Sequence, residues 1–326
     1  MQRKLLEILV CPKCKSDLAI DNSDDLIFIG ELRCRSCGLS FPIVNGIPRF
    51  VERDNYAASF GYQWNQFRKE QLDSYNGTTL SADRLWSETG WTKDELNGHW
   101  VLDVGCGAGR FLDAASRSGG NIVGIDISNA VDAAKENLAD RENVNLVQAS
   151  IYELPFRDGT FEFCYCIGVV QHTPDTAASL RSIGQMVKPN GKIAVTIYPR
   201  RPWTKLYSKY WLRPITKRMR KETLLSLIEK IMPVAFPVTN ALFRIPLLGK
   251  VFMFSIPIAN YVHDEQLSRE QRYAWAILDT FDMLSPYYDQ PMTEVEAKTA
   301  LISAGVTVKR TPQSGLNLVG ERNLSS

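Results

Sequence analysis

Seven residues, Asp103-Val104-Gly105-Cys106-Gly107-Ala108-Gly109, leave this chain few folds to choose from, because they join an apolar run at 101–104 to a segment of helical pattern. Glycines at such a junction permit a tight turn, close approach of backbone to a ligand, and close packing of helix on strand. That junction lies at the open carboxyl edge where α/β sheets bind nucleotides. The spacing is G-x-G-x-G with an acidic residue two positions before the first glycine, which differs from the G-x-G-x-x-G of dinucleotide folds. Around the turn the texture alternates. Strands are expected at 101–104, 122–125, 144–147, 161–169 and 192–198, and helices at 130–138 and about 177–186. After an interruption a helix follows at 294–304, then strands at 306–308 and 316–319. This predicts an α/β fold with a largely parallel sheet covered on both faces. Asp126, in Gly124-Ile125-Asp126-Ile127, ends the second strand, where a carboxylate can accept both hydroxyls of a ribose.

A chain of 326 residues with 44% hydrophobic and 23% charged residues is neither a disordered polyelectrolyte nor a small disulfide scaffold, and has room for one large domain and a smaller one. Five zones are expected. Residues 1–50 hold four paired cysteines, 51–98 form a helical connector, and 99–199 form the nucleotide-type core. Residues 200–290 are a basic and apolar insertion, and 291–326 supply a helix and hairpin that complete the sheet. Residues 1–10 put a charge inside a short apolar run and offer no small-residue cleavage site, so a cytoplasmic, reducing location is expected. There Cys11-Pro12-Lys13-Cys14 and Cys34-Arg35-Ser36-Cys37 have the spacing of two knuckles that converge on one tetrahedral zinc. Four thiolates leave no open coordination position, so the zinc is expected to be structural. Cys106, Cys164 and Cys166 read as packing residues.

From Leu102 to Phe111 the chain resembles the first motif of class I S-adenosylmethionine-dependent methyltransferases, of the methyltransferase type 11-like group. The resemblance implies a Rossmann-like fold with a mainly parallel seven-stranded sheet and helices on both faces. It also implies that Asp103, Gly105, Cys106, Gly107 and Gly109 hold the methionine part of S-adenosylmethionine, and Asp126 with Ile127 the ribose. Gln148-Ala149-Ser150-Ile151-Tyr152-Glu153-Leu154-Pro155-Phe156 is similar to the family's adenine loop, which implies Ser150 and Ile151 as adenine contacts. The family often has an acidic residue where this chain has Ser150, a weaker acceptor. Residues 161–175 resemble the block that ends facing the transferring methyl, which puts Ile167 at the cofactor and His172 at the acceptor. The cysteine knuckles, followed by Phe41-Pro42-Ile43-Val44-Asn45-Gly46-Ile47-Pro48, resemble the zinc-ribbon domain of the small activator subunit of tRNA methyltransferases. Residues 59–67 and 278–291 are similar to blocks of bacterial zinc-ribbon-fused methyltransferases. That likeness implies that Asp279, Asp282 and Tyr287 orient or deprotonate an acceptor hydroxyl.

Methyl transfer is an in-line displacement at a carbon the sulfonium already activates. Alignment contributes on the order of 7–11 kcal/mol, against roughly 10²- to 10⁴-fold from a general base. His172 is the candidate base, since imidazole titrates near neutrality; the alternative is that it orders its loop. His263 beside Asp264 is a second candidate, and His99 is expected at the surface. Between Arg200 and Lys221 stand nine bases and no acids, whereas 231–262 carries only Arg244 and Lys250 as charges, punctuated by Pro233, Pro237, Pro246 and Pro257. Such breaks argue against a membrane span and for a helical lid of short helices over the acceptor. Peripheral contact of 200–262 with the inner face of a membrane is the other reading. A basic apron beside an apolar patch suits a small-molecule or lipid-linked acceptor, with O-methylation in a bacterial biosynthetic pathway as the expected activity. Two alternatives are an rRNA or tRNA base methyltransferase and a degenerate methyltransferase used as a binding module. The absence of a second basic segment argues against a nucleic-acid track, and the intact Asp103, Gly105, Gly107 and Asp126 argue against a mere scaffold.

Overall fold

The structure is a computed structural model that describes residues 1–51, 56–313 and 315–323. Helix α1 (Arg3–Leu6) precedes a small antiparallel sheet of β1 (Leu18–Ala19), β2 (Gly30–Cys34), β3 (Ser40–Val44) and β4 (Ile47–Pro48), in that order. The β3–β4 turn is Asn45-Gly46, both at positive φ, as a tight hairpin requires. The connector folds into α2 (Ala58–Gln66), α3 (Asp73–Asn76) and α4 (Leu80–Thr89).

The large sheet comprises β5 (Trp100–Val104), β6 (Asn121–Asp126), β7 (Val144–Gln148), β8 (Phe161–Ile167), β9 (Val187–Ile197), β10 (Val306–Arg310) and β11 (Leu316–Arg322), ordered β10-β11-β9-β8-β5-β6-β7. Strands β5 to β9 pair in parallel and β10 and β11 antiparallel. Because neighbouring residues of a strand point to opposite faces, β5 splits its apolar side chains between two cores. Leu102 and Val104 join a core with Leu180 and Ile183 of α7 (Thr176–Met186) and Leu301 of α12 (Glu294–Ile302). Val101 joins another with Leu85 of α4, Leu112 of α5 (Arg110–Ala115) and Val131 of α6 (Ala130–Asn137). The small N-terminal sheet is not a tethered appendage: Leu5, Leu9, Leu32 and Ile43 lie in the same core as Val104 and Phe156. Backbone bonds tie the residues flanking it to the large domain too, from Val10 N–H to the Pro155 carbonyl in the β7–β8 loop (2.9 Å) and from Phe50 N–H to the Gln148 carbonyl at the end of β7 (2.8 Å).

Between β9 and α12 the insertion forms α8 (Ser208–Thr216), α9 (Lys221–Leu242), α10 (Leu248–Ser255) and α11 (Arg269–Leu284). The prolines do not break it into short pieces as the sequence suggests. Pro233 and Pro237 lie inside the 22-residue α9 on its exposed side, while Leu224, Leu225, Ile228, Met232 and Phe236 bury the other side in a core with Phe281 and Leu284 of α11. Packing of that face holds the helix through two lost amide donors. No helix among the described residues is long and apolar enough to cross a membrane. Capping boxes start α11 (Ser268 with Gln271) and α12 (Thr293 with Glu296). The two ends of the insertion meet: Arg200 N–H donates to the Met292 carbonyl (2.7 Å) and Met292 N–H to the Tyr198 carbonyl (3.0 Å).

Candidate active site

A cavity of about 800 Å³ opens beyond the carboxyl ends of β5, β6 and β8, walled by the connector and the insertion. Its floor includes Gly105, Cys106, Gly107, Asp126, Ile127, Ile151 and Ile167. Gly105 sits at φ +80°, and a Cβ there would lie 2.4 Å from Val169 Cγ1. A Cβ on Gly107 would lie 3.1 Å from the Trp64 indole nitrogen, so α2 closes directly over the glycine turn. Asp126 accepts from Gly107 N–H (3.0 Å) at one oxygen and from Ser128 N–H (2.8 Å) at the other, while burial pushes its carboxyl above the usual range. Three residues expected to touch the cofactor stand outside the lining. Asp103 is buried behind the turn, with one carboxylate oxygen unpartnered among the described residues and its ionisation strongly disfavoured by burial. Gly109 lies under Leu138, and the Ser150 hydroxyl accepts from Tyr152 N–H (3.2 Å) while its neighbours Ala149 and Ile151 line the space.

The three residues expected to face the acceptor, His172, Asp279 and Asp282, all line the same cavity. The His172 ring packs between Phe60 (centroids 5.2 Å apart) and Tyr198 (5.5 Å). Its Nδ1 lies 3.0 Å from the Tyr288 carbonyl, which can only accept, so the neutral ring carries its proton on Nδ1. Nε2 is buried with no partner among the described residues. Burial lowers the imidazole's pKa, against the opposing pull of Asp282 and Asp289. Asp279 is pushed up to about 7, first by burial and then by the Asp282 charge, with Arg110 and Arg84 working the other way. Gln71 links these groups, accepting from Arg110 Nη1 (3.0 Å) and donating to Asp279 Oδ1 (3.3 Å). Burial and the Arg84 charge push Arg110 down to about 10. Lys209 pairs with Asp289 (2.7 Å) and lies over the Tyr198 ring.

Tyr287 does not join this group. It is half exposed against Tyr288 and Lys217, because the turn after α11 points it outward. His263 is exposed on a separate cleft with Arg244 and Arg272, and His99 is exposed ahead of β5. The basic run is not a continuous surface either. Lys209 pairs internally, and Arg213 is buried, donating to the Met283 (3.0 Å) and Pro286 (2.9 Å) carbonyls. Sequence reasoning missed Trp64, Gln71, Arg84, Arg110, Tyr198 and Lys209. Arg110 was findable, directly after the last glycine of the turn, and Trp64 lies in the aromatic connector block. Gln71 and Arg84 carry no local signal.

In the small domain the four cysteine sulfurs lie within 4.8 Å of one another, with Cys11–Cys37 at 3.7 Å and Cys14–Cys34 at 3.4 Å. A tetrahedron with zinc–sulfur bonds of about 2.3 Å has edges of about 3.8 Å, so the cluster is compatible with zinc. Cys37 and Ser36 N–H groups both point at Cys34 Sγ (3.4 Å each) and lower the pKa of that thiol.

Residues 102–195 match the family described as "Methyltransferase domain", and residues 2–46 match "Trm112p-like protein". Among curated relatives, a ubiquinone biosynthesis O-methyltransferase of Acinetobacter baumannii is 32% identical over 130 residues, 37% of this chain and 55% of that protein. A demethylmenaquinone methyltransferase of Staphylococcus aureus is 34% identical over 151 residues, 44% of this chain and 61% of that protein. The chain thus spans somewhat more than half the length of these relatives. A solved S-adenosylmethionine-dependent methyltransferase from Aquifex aeolicus aligns with a TM-score of 0.41 at 16% identity, covering 82% of this chain and 98% of the other. This single chain therefore carries a methyltransferase domain at residues 102–195 and a Trm112p-like domain at residues 2–46.

Proposed function

We propose that the protein is an S-adenosylmethionine-dependent methyltransferase that methylates a hydroxyl of a small-molecule or lipid-linked acceptor in a bacterial biosynthetic pathway, working in the cytoplasm or against the inner face of the membrane through residues 200–262. One observation carries this reading. A single cavity joins the glycine turn and Asp126 to a histidine whose unprotonated Nε2 has no partner among the described residues. The relatives' names, a ubiquinone biosynthesis O-methyltransferase and a demethylmenaquinone methyltransferase, support a small-molecule acceptor.

The cavity residues fit the cofactor. Gly105 and Gly107 leave space at the turn that a side chain would fill, Asp126 offers a partly buried carboxylate to ribose hydroxyls, and Ile151 and Ile167 supply apolar wall. Bound S-adenosylmethionine supplies an electrophilic methyl on its sulfonium sulfur. On the acceptor side, His172 takes the hydroxyl proton at Nε2 while Nδ1–H stays on the Tyr288 carbonyl, so the ring need not turn. Asp282 offsets the imidazolium charge that forms. Gln71, held by Arg110, fixes Asp279 as the polar partner that orients the hydroxyl. Phe60, Trp64 and Tyr198 exclude water. Cys11, Cys14, Cys34 and Cys37 hold a structural zinc that takes no part in the transfer.

The test is transfer of labelled methyl from S-adenosylmethionine by the zinc-loaded protein into separated nucleic acid, lipid and polar small-molecule extracts of its native cell. Label in lipid or small molecules supports the reading. Label in RNA alone assigns the protein to RNA base methylation instead.

A further inference from the structure

The largest feature the chemistry leaves unexplained is the outer surface of the insertion. Fifteen of the 23 large apolar side chains that stay exposed among the described residues fall within 203–253. Helix α9 is apolar on two sides. While one side packs on α11, Leu227, Ile231, Val234 and Val238 follow one another at steps of four, three and four, which puts them on one uncovered stripe. Leu247 and Leu248, at the turn into α10, and Val251 extend it, and α8 adds Trp211, Leu212 and Ile215. Ser208 Oγ donates to the Phe254 carbonyl (3.3 Å) and Tyr207 stacks on Phe254 (4.2 Å), so α8 and α10 adjoin. Leu247 is the sharpest case. It is 90% exposed and held at φ +63°, a conformation that costs a branched side chain energy, at the tip of the α9–α10 turn.

Charge selects the occupant. Around these side chains Arg201, Lys205, Arg218, Arg220, Lys230, Arg244 and Lys250 are exposed, against only Glu222 and Glu229. Trp203 and Trp211, half to two-thirds exposed, are the residue type that settles at a bilayer interface. Apolar insertion combined with basic attraction is the pairing that stable interfacial anchoring needs. Tyr207, Met253 and Phe254 belong to this surface and also line the cavity. We infer that the outer face of α8, α9 and α10 docks on an anionic bilayer and seats the lid wall of the cavity at the membrane surface, where an amphiphilic acceptor enters without crossing water. The entry route rests on the lipid-linked reading above; the docking itself does not.

The experiment is flotation of the full-length, zinc-loaded protein with phosphatidylcholine vesicles that contain or lack phosphatidylglycerol. It is run beside the double variants Ile231→Glu/Val234→Glu and Arg218→Glu/Arg220→Glu, all at exposed positions outside the cavity. The wild type is expected to float with the anionic vesicles and only weakly with neutral ones, and each double variant to lower partitioning by about tenfold or more. S-adenosylmethionine affinity, measured on the same samples, should be unchanged and certifies the fold. A wild type that stays with neither vesicle overturns the proposal, as do variants that float like the wild type. Self-association in sedimentation velocity that Ile231→Glu/Val234→Glu abolishes, without vesicle binding, assigns the face to a second copy instead. Vesicle binding without any S-adenosylmethionine binding leaves the docking intact and overturns the enzymatic reading alone.

Discussion

The general-base role proposed for His172 rests on one hydrogen bond: with Nδ1–H held by the Tyr288 carbonyl, the lone pair is fixed on Nε2. Replacing it by Asn should lower kcat by roughly 10²- to 10⁴-fold with cofactor affinity kept; a kcat within a few-fold of wild type would sink the general-base role. Asp279 makes a different forecast. Its pKa is about 7 in the fold against 3.8 in a solvated chain, so the folded state holds its proton longer. The stabilisation is complete below pH 3.8 and is lost as pH rises through 7. Asp279→Asn should therefore remove a decline of a few kcal/mol across that window, read as the difference between wild-type and variant denaturant curves at each pH. Gly105→Ala should abolish cofactor binding and cost at least about 1–3 kcal/mol, because φ +80° and Val169 both oppose a Cβ; calorimetry and a binding titration check it. The turn and Asp126 were legible because their chemistry is local in sequence. The placing of Ser150 was not legible for the opposite reason: Ala149 and Ile151 line the cavity and Ser150 does not, and only tertiary structure decides which of three consecutive residues points in.

Among the elements, the cysteine-bearing sheet acts as a brace. Arg49, just beyond β4, pairs with Asp132 of α6 (2.5 Å) and donates to Gln148 Oε1 (2.7 Å), and Gln148 in turn donates to the Ile127 carbonyl (3.1 Å) at the cavity floor. Lys15, next to the first knuckle, reaches the Leu154 carbonyl (2.7 Å) in the loop that carries Ile151. Cys14→Ser, or stripping metal with a chelator, should therefore weaken S-adenosylmethionine binding although no cysteine of the cluster lines the cavity; unchanged affinity in a titration of the metal-free protein would reject the brace. The knuckles were readable from spacing and most strands from their apolar runs. Helix α9 was not, since its continuity through Pro233 and Pro237 comes from α11, about forty residues further on. Gln71 and Arg84 escaped for the same reason, as they enter the site only when the connector folds over the sheet.

At the scale of the molecule, the small domain and the large sheet share one apolar core, so they should unfold together. Zinc release followed with a chromophoric chelator and tryptophan fluorescence should give coincident denaturation midpoints; two separated transitions would show the domains to be independent. The insertion stands in a different relation to the rest. It leaves the sheet at Pro199 and returns at Met292, and those two residues pair side by side. A segment of that size whose entrance and exit are a single stitched point can be lengthened, shortened or exchanged in evolution while the strands beneath it keep their register. With the acceptor and membrane roles proposed for the insertion, the choice of what is methylated, and where in the cell, would be heritable separately from the machinery that methylates.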